Sequence, residues 1–270
     1  MVKKDEVKKA VQEQFGRNAE QYVQSQSHAK GDDLDLLVDW MQPQSNWTVL
    51  DIATGGGHVA RKLSAHVELV VATDLTRPML EAASRANRAA EADHILYMQA
   101  DAESLPFLDE SFDAVTCRIA AHHFPDPEAF IREVVRVLRP GGSFLLIDNV
   151  APDDSELAEF MNKIEKLRDP SHVRCLSASE WRSLMEEHGL IGRMQRHRTK
   201  KFDFPQWVKR TSESEQQEQA VENNLLLATD TQKKYLDMKI EKGRVLTHQI
   251  EEWMVLCQKT RGDQQDEQRV

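Results

Sequence analysis

Between residues 45 and 150 the chain alternates short, continuous apolar runs with stretches whose apolar positions recur every three or four residues. Apolar runs without alternation read as strands buried on both faces, and the intervening stretches read as the helices that cover them. The pattern therefore predicts a parallel sheet with helices on both sides. Residues 49–52 form the first run, followed by residues 69–74, 95–100, 114–118 and 143–148. Between them, Val59 and Leu63 share one face of a short helix over 58–65, and Met79, Ala83, Ala86 and Ala90 form a stripe of small residues on a helix that starts near Pro78. Asp126-Pro127-Glu128 opens a further helix with proline at its first position, and Phe130, Val134 and Val137 carry its buried stripe.

The flanks are less regular. Val7, Val11 and Phe15 recur at helical spacing and predict a first helix, followed by a polar stretch over 16–30 in which Tyr22 and His28 stand out. A second helix is expected over 33–41, with Leu34, Leu37, Val38 and Met41 facing inward and Pro43 ending it. Past Asp148, residues 155–167 read as helix, and Ser177-Ala178-Ser179-Glu180 is a capping box opening a helix that stops at Gly189. Residues 190–204 predict a sixth strand, made very basic by the run 196–201, and residues 250–260 a seventh. The intervening segment, about 205–244, reads as a polar, mostly helical insertion, anchored by Leu225, Leu226, Leu227, Tyr235, Met238 and Ile240. Residues 262–270 carry nothing to bury and read as a disordered tail.

The first strand ends in the most informative stretch, Val49-Leu50-Asp51-Ile52-Ala53-Thr54-Gly55-Gly56-Gly57. A strand that passes through three glycines into a helix offers free backbone N–H groups that a ligand can approach closely, which is the layout of a nucleotide-type site. Two registers fit. Gly55-x-Gly57-x-x-Ala60, with Asp74 ending the next strand, matches a nicotinamide dinucleotide fingerprint, the mark of an NAD-dependent oxidoreductase. Asp51-x-Ala53-x-Gly55-x-Gly57 instead resembles motif I of the class I S-adenosylmethionine (SAM) dependent methyltransferases, with Ala53 where the first glycine usually stands.

Composition narrows the function classes. With 35 basic and 45 acidic side chains the formal charge is −10, which disfavours a nucleic-acid backbone as partner. Cys117, Cys175 and Cys257 are far apart and lack metal-ligand spacing, as expected for reduced thiols in a cytoplasmic protein. No apolar run reaches the roughly 18 residues of a membrane span.

Two further stretches decide between the registers. Leu105-Pro106-Phe107-Leu108-Asp109-Glu110-Ser111-Phe112-Asp113-Ala114-Val115 resembles the LPFxDxSFDxV signature of the ubiquinone/menaquinone C-methyltransferase-like (methyltransferase type 11) branch of class I methyltransferases. Val137-Leu138-Arg139-Pro140-Gly141-Gly142, leading into the fifth apolar run, resembles the same family's VLxPGGxhhhh element. The resemblance implies a Rossmann-like, doubly wound seven-stranded α/β sheet, mostly parallel with an antiparallel last strand. It also implies a methyltransferase domain over about 45–261 and an N-terminal helical lid segment over about 1–44. The implied cofactor is SAM, leaving S-adenosylhomocysteine (SAH), with Asp51, Ala53, Thr54, Gly55, Gly57, Asp74, Leu75, Asp101, Ala102 and Arg118 as its contacts.

In that pattern Asp51 lies near the methionine end, Asp74 accepts from the ribose diol and Asp101 from the adenine amino group. Ligands in open α/β sheets sit beyond the carboxyl ends of the strands, which places an acceptor beside the residues after the fourth and fifth strands. Tyr22, His28, His122, Asp148 and Arg174 are the candidates for holding it, and His123 and His172 for taking its proton. Adjacent His122 and His123 point to opposite sides of an extended segment, and no metal is expected there. The acceptor expected is a small molecule, with C- or O-methylation of a quinol or phenol favoured. A protein that binds SAM without turnover is the alternative, and the sequence leaves oligomeric state open.

Overall fold

The computed structural model describes residues 4–24 and 31–261, so His28 and the tail over 262–270 lie outside the described residues. The five apolar runs form parallel strands: β1 (Thr48–Ile52), β2 (Leu69–Asp74), β3 (Ile95–Gln99), β4 (Phe112–Arg118) and β5 (Leu138–Asn149). They are laid side by side in the order β3-β2-β1-β4-β5, so the direction of winding reverses between β1 and β4. Asp51 pairs in register with Ala72 on one side and Thr116 on the other, which brings the carboxyl ends of these strands together.

Successive residues of each strand feed different cores, as continuous apolar runs require. Leu50, Ile52, Val115, Cys117, Phe144 and Leu146 pack on α5 (Pro127–Val137) and α7 (Ala178–Glu187) through Phe130, Ile131, Val134 and Trp181. Val49, Val70, Ala72, Ala114, Leu145 and Ile147 pack on α2 (Asp32–Met41) and α3 (His58–Ser64) through Leu34, Leu37, Val59 and Leu63. Asp126 caps α5 by accepting from the Ala129 N–H, and Ser177 and Glu180 close the expected capping box on α7.

Among the described residues the sheet holds the seven expected strands and one short added strand. The last long strand, β8 (Arg244–Lys259), begins before Ile250 and pairs antiparallel with β5 and with β6 (Leu190–Asp203). A tight turn at Lys242 and Gly243, both at positive φ, folds the added strand β7 (Lys239–Glu241) back on β8. The insertion is otherwise mostly helical, as α8 (Phe204–Lys209), α9 (Glu215–Leu226) and α10 (Asp230–Tyr235). With α6 (Ser155–Arg168) these helices close a third core around Met161, Ile164, Trp207, Val221 and Leu225.

Helix α1 (Lys4–Gln24) runs on through the stretch expected to be merely polar. Phe15, Ala19, Tyr22 and Val23 continue its apolar stripe, and they pack on Met79 and Ala82 of α4 (Arg77–Ala89). No helix among the described residues is long and apolar enough to cross a membrane.

Candidate active site

The carboxyl ends of β1, β2, β3 and β4 surround a cavity of about 1050 Å³, its open mouth included. Asp51 reaches it from β1 and is 1% exposed. Its two oxygens accept from Thr54 Oγ1 at 2.6 Å and Thr116 Oγ1 at 2.8 Å. Burial pushes the Asp51 carboxyl up to about 6, against these hydrogen bonds. Ala53 follows at φ 52°, a left-handed conformation that explains why a glycine is the easier residue at that position.

The glycine loop is tied to the second strand. Asp74 accepts from the Gly55 N–H at 3.1 Å and the Thr76 N–H at 2.8 Å, and burial pushes its carboxyl up to about 6 as well. Gly57, at φ 75°, has a different task from its neighbours. A Cβ there would come within 2.6 Å of Asn87 Nδ2, which donates to the Gly57 carbonyl from inside α4. Gly57 thus permits close packing beneath the loop and does not line the cavity.

At the third strand, Asp101 accepts the Glu103 N–H at 3.0 Å, and both carboxylates meet Lys8 of α1, each at 2.6 Å. Lys8, Val11, Phe15 and Tyr22 fall on one stripe of α1 and line the cavity from above. After the fourth strand, Arg118 is held by Asp33 of α2 at 2.5 Å, and Asp33 also meets Arg198 of β6 at 3.0 Å. Burial opposes the charge on Asp33, but the arginines prevail and hold its carboxyl down at about 2. Ile119 then takes φ 53°, an outlying conformation for a β-branched residue. The chain bends there, and Ile119, Ala120, His123 and Phe124 form the wall on that side.

His123 of this wall belongs to a cluster of three histidines, with ring centroids 4.3 Å apart for His122 and His123 and 5.6 Å apart for His122 and His172. His122 Nδ1 is 2.6 Å from Asp148, which also accepts the His122 N–H. Burial disfavours a charge on His122, yet the Asp148 carboxylate outweighs it and raises its pKa. His123 differs. Its Nδ1 lies 3.1 Å from the Ser171 carbonyl, which can only accept, so Nδ1 carries the proton and Nε2 presents a lone pair. The Phe15 ring meets the His123 ring edge-on at 5.0 Å and fixes its plane. Burial, followed by the neighbouring charge on His122, lowers the His123 pKa and keeps the ring neutral.

Asp51, Ala53, Thr54, Gly55, Asp74, Leu75, Asp101, Ala102 and Arg118 therefore meet around one cavity, which Tyr22 and His123 also line. Other candidates do not reach it. His122 and Asp148 lie behind His123, and His172 Nε2 bonds Asn162 at 2.9 Å. Arg174 turns outward, half exposed, to pair with Glu180 at 2.5 Å. Its backbone is fixed by the N–H bond to the His122 carbonyl, which leaves the long side chain to solvent. Lys8, Phe15, Ile119 and Phe124 were not among the candidates. For Lys8 a signal existed, since it shares the helical spacing of Val11, Phe15 and Tyr22.

Residues 50–146 match the family model of the methyltransferase domain Methyltransf_11. The uncharacterized methyltransferase YcgJ of Bacillus subtilis is 39% identical over 216 residues, covering 80% of this chain and 85% of that one. The chain belongs to this methyltransferase family. A crystal structure from Bacillus halodurans C-125, described as a methyltransferase, superposes with a TM-score of 0.83 at 37% identity, covering 85% of this chain and all of that one. The ubiquinone/menaquinone biosynthesis C-methyltransferase UbiE of Bartonella tribocorum is 40% identical over 118 residues, which is 42% of this chain and 45% of UbiE. This methyltransferase is SAM-dependent, and its sheet is the Rossmann-like one of the class I enzymes.

The cavity suits that cofactor on its own chemistry. Asp74 keeps lone pairs beyond its two backbone bonds, Gly55 leaves the main chain open, and Asp51 offers a carboxylate to a cationic end.

Proposed function

We propose that this methyltransferase acts on a small, largely apolar acceptor bearing an ionisable hydroxyl, of the quinol or phenol class, with His123 as the base. The observation that carries the reading is the His123 ring. It is locked as the Nδ1–H tautomer by Ser171, held in plane by Phe15, and set in the cavity wall beside Tyr22 and Phe124. The sulfonium of SAM supplies an already activated methyl group. The protein's own tasks are then to hold donor and acceptor in line and to remove the acceptor's proton. Asp51, Asp74, Asp101 and Arg118 would hold the cofactor, and Phe15, Tyr22 and Phe124 the flat face of the acceptor. The ubiquinone and menaquinone biosynthesis in the name of UbiE supports a quinol-like acceptor.

Calorimetry with SAM, followed by turnover on a panel of hydroquinones, phenols and amines, tests the proposal. Methyl transfer to a hydroquinone or phenol is expected. Transfer only to amines would overturn the acceptor class, and SAM binding without turnover on any acceptor would favour a non-catalytic role.

A further inference from the structure

Helix α1 crosses the loops that follow β2, β3 and β4 and is tied to each of them. Gln12 Nε2 donates to the Leu75 carbonyl at 3.0 Å, after β2. Lys8 Nζ lies 2.6 Å from Asp101 Oδ2 and 2.6 Å from Glu103 Oε2, after β3. Lys4 Nζ lies 2.5 Å from Asp126, beyond β4. The Lys8 tie is the sheltered one. The Lys8 side chain is 21% exposed and that of Glu103 6%, against 55% for Lys4. Exposed ion pairs contribute little, whereas an ammonium shared between two partly buried carboxylates is held by charge-assisted hydrogen bonds. Burial works against the charge on Lys8, and the two carboxylates outweigh it.

Lys8, Asp101 and Glu103 all line the cavity, so the tie spans its opening. A group seated against Asp101 lies beneath the aliphatic stem of Lys8 and beside Val11, on the same stripe of α1. Asp101 Oδ1 is engaged by the Glu103 N–H, which leaves Oδ2 to serve Lys8. A carboxylate oxygen has two lone-pair sites, so one oxygen can accept from Lys8 and from a bound amino group together.

We propose that Lys8 is the latch that holds α1 closed over the nucleoside end of the cofactor, and that opening its two ion pairs is what releases the spent nucleoside. This rests on the reading that places the adenine edge at Asp101. Lys8 is thus a positioning residue, acting through Asp101 and Glu103 and not on the transferred methyl group. Gln12 and Lys4 set where α1 lies, while among the described residues Lys8 joins it to the carboxylate assigned to the nucleoside.

The test is the dissociation rate of SAH from the full-length protein, measured by stopped-flow displacement at low and high salt. For the wild type the rate should rise with salt, because screening weakens the ion pairs. Lys8→Met keeps the stem and removes the charge. It should speed release about tenfold or more at low salt and reduce the salt dependence to the part that Lys4 and Asp126 contribute, the change falling in the off-rate. Lys8→Arg should restore release to within about threefold of wild type, since the charge and both carboxylate contacts survive. Glu103→Gln attacks the latch from the other side, leaves Asp101 intact, and should give an intermediate rate. Hydrogen exchange over residues 4–24 with SAH bound should be faster in Lys8→Met than in the wild type. Wild-type release from Lys8→Met, or Lys8→Arg behaving like Lys8→Met, would overturn the latch. Failure of the wild type to bind SAH would instead overturn the cofactor placement beneath it.

Discussion

The Asp74 carboxylate accepts the Gly55 N–H at 3.1 Å, so the end of the second strand fixes the shape of the loop after the first. One side chain thereby orders the glycine loop and faces the cavity, and replacing it removes both effects. Asp74→Ala should weaken SAH binding by roughly 1.5–3 kcal/mol, the range for hydrogen bonds to a charged group, with the fold retained. Calorimetric titration reads the loss and thermal unfolding checks the fold. NADH should not bind to either form. Unchanged SAH affinity in the variant would remove Asp74 from the cofactor site.

Asp51 and Asp74 give the protein a pH signature. Burial raises both carboxyls from the ordinary value of 3.8 to about 6. A raised folded pKa means that the folded state binds the proton more tightly than the unfolded chain. That contribution is fully present below about pH 3.8 and is lost as the pH rises through about 6. Above that range each carboxylate is a standing cost to the protein alone. Asp51→Asn should therefore stabilise the protein at pH 7.5 by up to about 3 kcal/mol, taking roughly 1.4 kcal/mol per pKa unit, while weakening its hold on SAM. The gain should shrink towards pH 4. Denaturant melts of both proteins across pH 4–8 check this, and a difference that does not vary with pH would contradict it.

The five parallel strands and their terminal acids were legible because a strand buried on both faces writes itself as an uninterrupted apolar run. What was not legible depends on partners distant in sequence. Phe15, Ala19, Tyr22 and Val23 keep helical spacing past Gly16, but the surface that holds them there, Met79 and Ala82, comes from elsewhere in the chain. The basic run of β6 is visible in the sequence but its partners are not: Arg198 and Lys200 both pair with Glu252 of β8, and Arg198 reaches Asp32 and Asp33 as well. His172 and Arg174 looked like pocket residues on charge alone. Their orientation is decided by Asn162 and Glu180, which the local pattern cannot supply.

His248 is a buried histidine with no hydrogen-bond partner for either ring nitrogen among the described residues. Trp207 meets it edge-on at 4.3 Å and Phe202 stacks on it at 5.7 Å. Burial, and then the charge on Arg168, lowers its pKa to about 3. A depressed folded pKa contributes stability that is present above the ordinary value of 6.5 and is lost as the pH falls towards 3. His248→Phe keeps a ring in the aromatic setting and removes the unsatisfied nitrogens. It should stabilise the protein by about 1–3 kcal/mol at pH 7, and by more at pH 5. Thermal melts at the two pH values decide, and a destabilised variant would show that His248 has a partner of its own.

His123 and Arg174 flank the same histidine cluster and make opposite predictions. His123 sits in the cavity wall with Nδ1 bonded to the Ser171 carbonyl, so His123→Gln should remove the base while sparing the cofactor contacts. General-base assistance is worth roughly 10²–10⁴-fold, and kcat/KM for a phenolic acceptor should fall within that span while SAH affinity stays within about twofold. The loss should be smaller for an acceptor with a more acidic hydroxyl, which needs less help in releasing its proton. Arg174 pairs with Glu180 at the surface, where the Arg174 side chain is 54% exposed, so Arg174→Ala should leave kcat/KM within about twofold of wild type. Steady-state kinetics on both variants, over phenols of graded acidity, separates the roles. A strong defect in Arg174→Ala would mean that its side chain swings into the site during turnover. An equal loss across all phenols in His123→Gln would make His123 a positioning residue, with proton removal left to another group.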